Sequence, residues 1–193
     1  ANPLSNMDSV LQLAERRPET FTAKSSDALR IQIKRINNIL QQMTSFAHPD
    51  QTSSERVPID HVVESAIEFV RFDKRLKRTE VVRELGCDGA EVHFNPNAFQ
   101  QVMVNLFTNA LDALQETARP RLTIRTFLNG TRCVVQVADN GCGIPHEGIA
   151  RVFDPFYTTK PVGQGTGLGL SISYRLVEQI GGVIRVESEP GVG

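Results

Sequence analysis

The sequence has no tryptophan and only two tyrosines, so its aromatic packing rests on ten phenylalanines. Cysteine is scarce. Cys87, Cys133 and Cys142 are widely spaced and form no Cys-x-x-Cys pair. That argues against a disulfide framework and a zinc site and makes a reducing compartment the default. No excess of one charge exists: the net charge is −1, and nothing points to nucleic acid as a partner. No apolar run approaches the roughly 18 residues of a membrane span, and no signal-peptide pattern is visible. What remains is 193 residues, 40% of them apolar. That suits one medium domain, or a small helical element plus a domain of ordinary size. Both ends read as cuts: the first residue lies inside a helical pattern, and "EPGVG" stops at a turn.

Periodicity divides the chain. Residues 4–47 read as helix broken once. Leu4, Met7, Leu11 and Ala14 form an apolar stripe that Glu15-Arg16-Arg17 and Pro18 end. Leu29, Ile33, Ile36, Leu40, Met43 and Ala47 then step by four and three, a heptad seam widened by Ile39 and Phe46. One hairpin cannot bury both stripes, so two are expected to pair as a four-helix bundle, making a homodimer. Residues 48–57 are polar and read as a linker. Beyond it Asp60 is expected to cap a helix to about Phe72. "TEVVREL" and "EVHF" read as strands, and Asn95-Pro96 opens a helix to about Thr117. "RLTIRTFL" and "RCVVQVAD" form a hairpin around Asn129-Gly130. "GLGLSISYRLVEQIG" is a helix stopped by Gly181-Gly182, and "VIRVES" a last strand. The expected fold class is α+β: an antiparallel helical hairpin over 1–47, then over 58–193 an α/β sandwich with a mixed, mostly antiparallel sheet.

Four short motifs carry chemistry. In "NLFTNALDA", Asn105, Asn109 and Asp112 fall near one face of a helix otherwise filled with apolar side chains. They are either a solvent-facing polar stripe or a hard-cation site, for which amide oxygens suit magnesium. "DNGCGI" follows a strand. Asp139 can accept from an exocyclic amine, and Gly141 and Gly143 let backbone approach a flat ring, although a plain tight turn has the same composition. "FDPFYTTK" sets aromatics in a loop beside Thr158, Thr159 and Lys160, which suit phosphate oxygens. It reads as a lid, or as an apolar cluster under a loop. "GQGTGLGL" opens a helix with Gly163, Gly165, Gly167 and Gly169, whose amides suit anions. It is not a Walker loop, and no strand directly precedes it as a dinucleotide fingerprint requires. In order, within some 65 residues, the four describe a magnesium–nucleotide pocket.

These motifs resemble the N, G1, F and G2 boxes of sensor histidine kinases, within the superfamily of gyrase, Hsp90, histidine kinases and MutL. "FDPFYTTK" is similar to the nitrogen-regulation and C4-dicarboxylate type. The resemblance covers residues 58–193 as a catalytic ATP-binding domain and 1–47 as a dimerisation and histidine-phosphotransfer hairpin. It implies ATP and Mg2+ as cofactors, with Asn109 a metal ligand and Asn105 beside it on metal or water. Asp139 would bind the adenine amino group, with Gly141, Gly143 and Ile144 shaping the slot. Phe153, Phe156, Thr158, Thr159 and Lys160 would belong to the lid. Gly163, Gly165, Thr166, Gly167, Leu168, Gly169 and Leu170 would wrap the phosphates. Asp112 lies in the same pocket but departs from the pattern: many such kinases carry Lys there. A carboxylate cannot neutralise phosphate, so Lys160 is expected to supply charge. Where superfamily ATPases hold a water-activating Glu, this chain has Asn105, which cannot act as that base. That favours transfer to protein over hydrolysis.

The resemblance also implies a histidine acceptor. His48, His61, His93 and His146 lie outside any phosphoacceptor context and are expected to be bystanders. Ala1-Asn2-Pro3-Leu4 matches the end of the family's His-Glu-x-x-Asn-Pro-Leu box. The acceptor is therefore expected four residues before Asn2, and Asn2 at the place that positions water for dephosphorylating the partner. The implied partners are a second copy, a response regulator receiver domain and an upstream sensor domain. The implied location is cytoplasmic, with inner-membrane anchoring of a longer protein left open. Two other readings remain at this point. The missing Glu argues against a hydrolytic clamp ATPase, and the four intact boxes argue against a non-catalytic nucleotide-sensing module.

Overall fold

A computed structural model describes residues 3–17, 22, 25–27, 29, 33, 36, 54–160 and 165–193. The chain divides into two compact units, Ala1–Asp50 with Phe156–Leu168, and Gln51–Pro155 with Gly169–Gly193. In the first, helix α1 spans Pro3–Arg16, ending where the charged run predicted. Residues 25–27, 29, 33 and 36 are helical. The remainder of the expected second helix, and with it the bundle seam and dimer, lies outside the described residues.

The second unit is an α+β sandwich. Strand β1 (Glu55–Pro58) leads into helix α2 (Ile59–Val70), and a short 3-10 turn (Leu76–Arg78) into β2 (Glu80–Gly86). Then follow β3 (Glu91–Phe94), helix α3 (Pro96–Ala113), β4 (Arg121–Asn129), β5 (Arg132–Asp139), a one-turn helix α4 (His146–Ile149) and α5 (Gly169–Gln179). The larger sheet has the order β2-β4-β5, with β2 parallel to β4 and β4 antiparallel to β5. A parallel pair needs a crossover, and β3 and α3 provide it. β1 and β3 form a separate antiparallel pair.

α3 starts where Asn95-Pro96 predicts. The Asn95 side chain accepts from the amides of Asn97 (2.9 Å) and Ala98 (3.1 Å), and Pro96 needs no partner at the first turn. It ends at Ala113, four residues before the expected Thr117. The Ala113 carbonyl there accepts the Cys142 amide (3.2 Å). Gly130, at φ +61°, opens a two-residue Gly130-Thr131 loop, one step later in register than Asn129-Gly130 suggested. Asp60 does not cap α2. It sits inside the first turn and accepts from the Thr126 hydroxyl and, at 3.2 Å, from the Cys87 amide. "VIRVES" alternates exposed and half-buried residues but joins no ladder among the described residues, and the chain beyond it turns back toward Cys142.

The core lies between the helices and the sheet. Val63, Ala66 and Ile67 of α2, Phe99, Met103, Phe107 and Leu111 of α3, Leu122 and Ile124 of β4, and Ile172 and Leu176 of α5 are buried. All three cysteines are free; burial pushes the Cys87 thiol up to about 11. His61, His93 and His146 are exposed, as expected of bystanders. No helix among the described residues is long and apolar enough to cross a membrane.

Leu111 is fully enclosed, so Leu111→Ala leaves a cavity beneath the amide face of α3. We expect it to lower unfolding free energy by about 2–5 kcal/mol, read as a fall in the urea midpoint.

Candidate functional site

Asn105, Asn109 and Asp112 are all half-buried on one side of α3, opposite its buried Phe99, Met103 and Phe107. Asn105 Nδ2 donates to the Gly169 carbonyl (3.2 Å) and the Ser173 hydroxyl (3.4 Å), and Ser173 donates to Gly169 (3.0 Å). The first turn of α5 is therefore pinned to α3 by the nitrogen of Asn105. Its Oδ1 lies close to Gly169, 3.7 Å from where a Cβ on that residue would stand. Ser171 and Ser173 are buried polar residues that no motif singled out, and Ser173 is part of this contact.

Asp139 ends β5, the strand against which α3 packs. Its Oδ1 accepts from the Gly141 amide (2.9 Å), whereas Oδ2 has no partner among the described residues. Burial raises its carboxyl above the usual range, and the Gly141 hydrogen bond only partly offsets this. A half-buried carboxylate with one oxygen held and the other unclaimed is primed for a donor supplied by a ligand.

The glycines of this loop have reasons inside the protein. A Cβ at Gly141 would stand 2.6 Å from the Ala113 carbonyl. Gly143 has φ +68°, and a Cβ there would stand 2.3 Å from the Glu189 carbonyl. The Cys142 amide donates to Ala113 (3.2 Å), the Ile144 amide to Ser188 Oγ (2.8 Å), and the Gly191 amide to Cys142 (2.9 Å). The loop thus rests on the end of α3 and on residues 188–193.

The Asp112 carboxylate, expected in the cofactor pocket, is bound by Arg75 and also accepts from Gln115 Nε2 (3.5 Å). The Arg75 guanidinium also grips Asp73 with two bonds, of 3.0 and 2.7 Å, and holds that carboxyl below the usual range. Arg78 donates to the carbonyls of Leu114 (3.2 Å) and Gln115. The run "DKRLKR" shows clustered charge, but no spacing rule ties it to a residue 37 positions away.

Phe156, Thr158, Thr159, Lys160, Gly165, Thr166, Gly167 and Leu168 belong to the other unit, together with α1. Its segment is closed at the base. The Phe156 amide donates to Gly167 (2.9 Å), both residues have positive φ, and a Cβ on Gly167 would stand 2.3 Å from Phe156. The Lys160 amide donates to Thr158 Oγ1 (3.1 Å) and the Leu168 amide to Thr166 Oγ1 (3.3 Å). Phe156 is 71% exposed. Phe153 packs instead on Tyr174 of α5, with centroids 5.2 Å apart. Gly163 and Asn2 lie outside the described residues.

Helices over a mixed sheet, with a ligand-ready acid at a strand end and amides on the facing helix, define an ATP-binding sandwich domain. The chain belongs to the histidine kinase-, DNA gyrase B- and HSP90-like ATPase family, which matches residues 94–193. Over its whole length it is 31% identical to the signal transduction histidine-protein kinase AtoS of Escherichia coli K12, covering 31% of that protein. It is 28% identical to sporulation kinase E of Bacillus subtilis, covering 26% of it. Among solved structures it is similar to the mycobacterial sensor histidine kinase MprB (TM-score 0.61, 25% identity), with 69% of this chain and 85% of that one covered. The chain spans about a quarter to a third of the length of these two curated relatives.

Because folding raises the Asp139 pKa, the stabilising contribution of its neutral form is complete below about pH 3.9, the unfolded value. That contribution is lost as pH rises through the folded value. Asp139→Asn is therefore expected to melt higher than the parent at pH 7 and equal to it near pH 3, while losing ATP binding. Calorimetric scans across pH, with ATP titration at pH 7, check both halves.

Proposed function

We propose that this chain is the kinase core of a two-component sensor histidine kinase. It binds Mg2+-ATP and moves the γ-phosphoryl group to an imidazole on the helical segment, at the place four residues before Asn2. The phosphoryl group then passes to an Asp of a response regulator's receiver domain. The observation that carries the reading is Asp139, half-buried, with Oδ1 held by Gly141 and Oδ2 unclaimed. An adenine amino group satisfies that oxygen.

The other residues take roles their chemistry allows. Gly141, Gly143 and Ile144 border the base. Asn109, and Asn105 through Oδ1, offer hard oxygen donors that fit magnesium, which keeps its waters and takes further oxygens from phosphate. When bound, magnesium supplies positive charge to the phosphate oxygens and aligns the transferred group. Gly169 and Leu170 present amides at the positive end of α5. Thr158, Thr159, Lys160, Gly165, Thr166 and Gly167 form the lid, with Gly163 and Leu168, and Lys160 supplies charge. Asn105 cannot take a proton from water, which supports transfer to protein rather than hydrolysis. The proposed setting is cytoplasmic, as a homodimer through the hairpin, downstream of a sensor domain. Asn2 would position water for dephosphorylation of the regulator.

The test is labelled ATP with magnesium, given to a longer form carrying the complete box. Acid-labile, base-stable label is expected on the protein, and Asn109→Ala is expected to abolish it. A folded, ATP-binding dimer that takes up no label defeats the kinase reading. In the same form Asn2→Ala is expected to retain labelling and lose dephosphorylation of the regulator. An unchanged dephosphorylation rate removes Asn2 from that role.

A further inference from the structure

The end of α3 is held by a strap. Residues Asp73 to Arg78, between α2 and β2, cross the C-terminal turn of α3 and bind it at two levels. Arg75 reaches the Asp112 side chain, and Arg78 reaches the carbonyls of Leu114 and Gln115. Arg75 is itself fixed by the two bonds to Asp73. The three side chains of the ion triad are only 22–29% exposed, so the guanidinium is not a freely solvated surface charge. A fork-shaped donor between two carboxylates has one satisfied geometry, which lysine cannot reproduce.

Two routes lead from this strap to the nucleotide site. Asp112 lies three residues beyond Asn109, on the same side of α3. Ala113, the next residue, accepts the Cys142 amide and lies against Gly141, whose own amide holds Asp139. A shift of the last turn of α3 therefore displaces both the amide side chain and the base-binding acid.

We propose that Arg75 is a positioning residue for nucleotide binding, locking the last turn of α3 so that Asn109 and Asp139 keep one fixed separation. The Asp112 carboxylate is the handle it grips, and Arg78 closes the helix end. This rests on the ATP-binding reading above for its ligand but not for its mechanical content.

The experiment uses the whole chain at 10 °C, well below melting, and measures affinity for ATP with magnesium by titration calorimetry. Amide hydrogen exchange of the unliganded chain is followed in parallel. Arg75→Ala and Asp112→Asn are each expected to weaken ATP binding about ten- to hundredfold, as loss of an outer support does at a metal-linked site. Exchange should quicken in both 109–115 and 139–143. The reciprocal pair Arg75→Asp with Asp112→Arg restores the grip and is expected to recover most of the affinity. Arg75→Lys should fall between, and decides the matter if Arg75→Ala does not fold. Folded single variants with parental ATP affinity overturn the proposal, as does a reciprocal pair no better than the singles. If the parent chain itself binds no ATP, the nucleotide reading fails. The strap is then judged on exchange alone: quickening confined to 109–115, without 139–143, overturns it.

Discussion

An α-helix leaves its last four carbonyls without partners, and they must be satisfied from elsewhere when the end is buried. In this protein the carbonyls at and just past the end of α3 are met partly by the adjoining chain and partly by distant groups. The Cys142 amide takes Ala113, and Arg78 takes Leu114 and Gln115. One side of the same helix is closed into the core by Phe107 and Leu111, and the other presents Asn105 and Asn109. α3 thus works as a beam: apolar burial fixes its rotation, and the polar contacts at its end fix its position along the axis.

The loop around Asp139 carries a local electrostatic cost. Asp139 loses hydration in its half-buried place and recovers a single amide bond, so its ionised form is disfavoured. The surrounding loop cannot relax away from this cost. Gly141 and Gly143 are pressed against the Ala113 and Glu189 carbonyls, and Ser188 holds Ile144. Close packing of backbone on backbone keeps an unfavourable carboxylate in place.

Much of this was legible in the residue order. Asn95-Pro96 marked the start of α3 because a cap and a ring-locked φ act within one turn. The Gly130 hairpin and the four boxes were readable for the same reason, since turns, caps and glycine requirements depend on near neighbours. The glycines of "DNGCGI" were read as clearance for a flat ring, whereas the structure puts protein carbonyls against them. Asp60 was read as a cap, but the buried hydroxyl of Thr126, on a distant strand, claims it. Asp112 was read as facing the cofactor because its helical position points that way. Its partner Arg75 lies 37 residues earlier, and nothing local in the chain announces such a pair.

By itself the amino-acid order determined the family and most of the helix and strand segments of the second unit. Spacing of a few residues sets helical face, strand parity and loop conformation. The tertiary structure alone decided which polar groups are spent on holding the protein together and which have no partner among the described residues. It assigned Asp112 and the Asn105 nitrogen to the first kind and the Asp139 Oδ2 to the second. That division depends on which distant groups folding brings within hydrogen-bond reach, and on how much water remains around each.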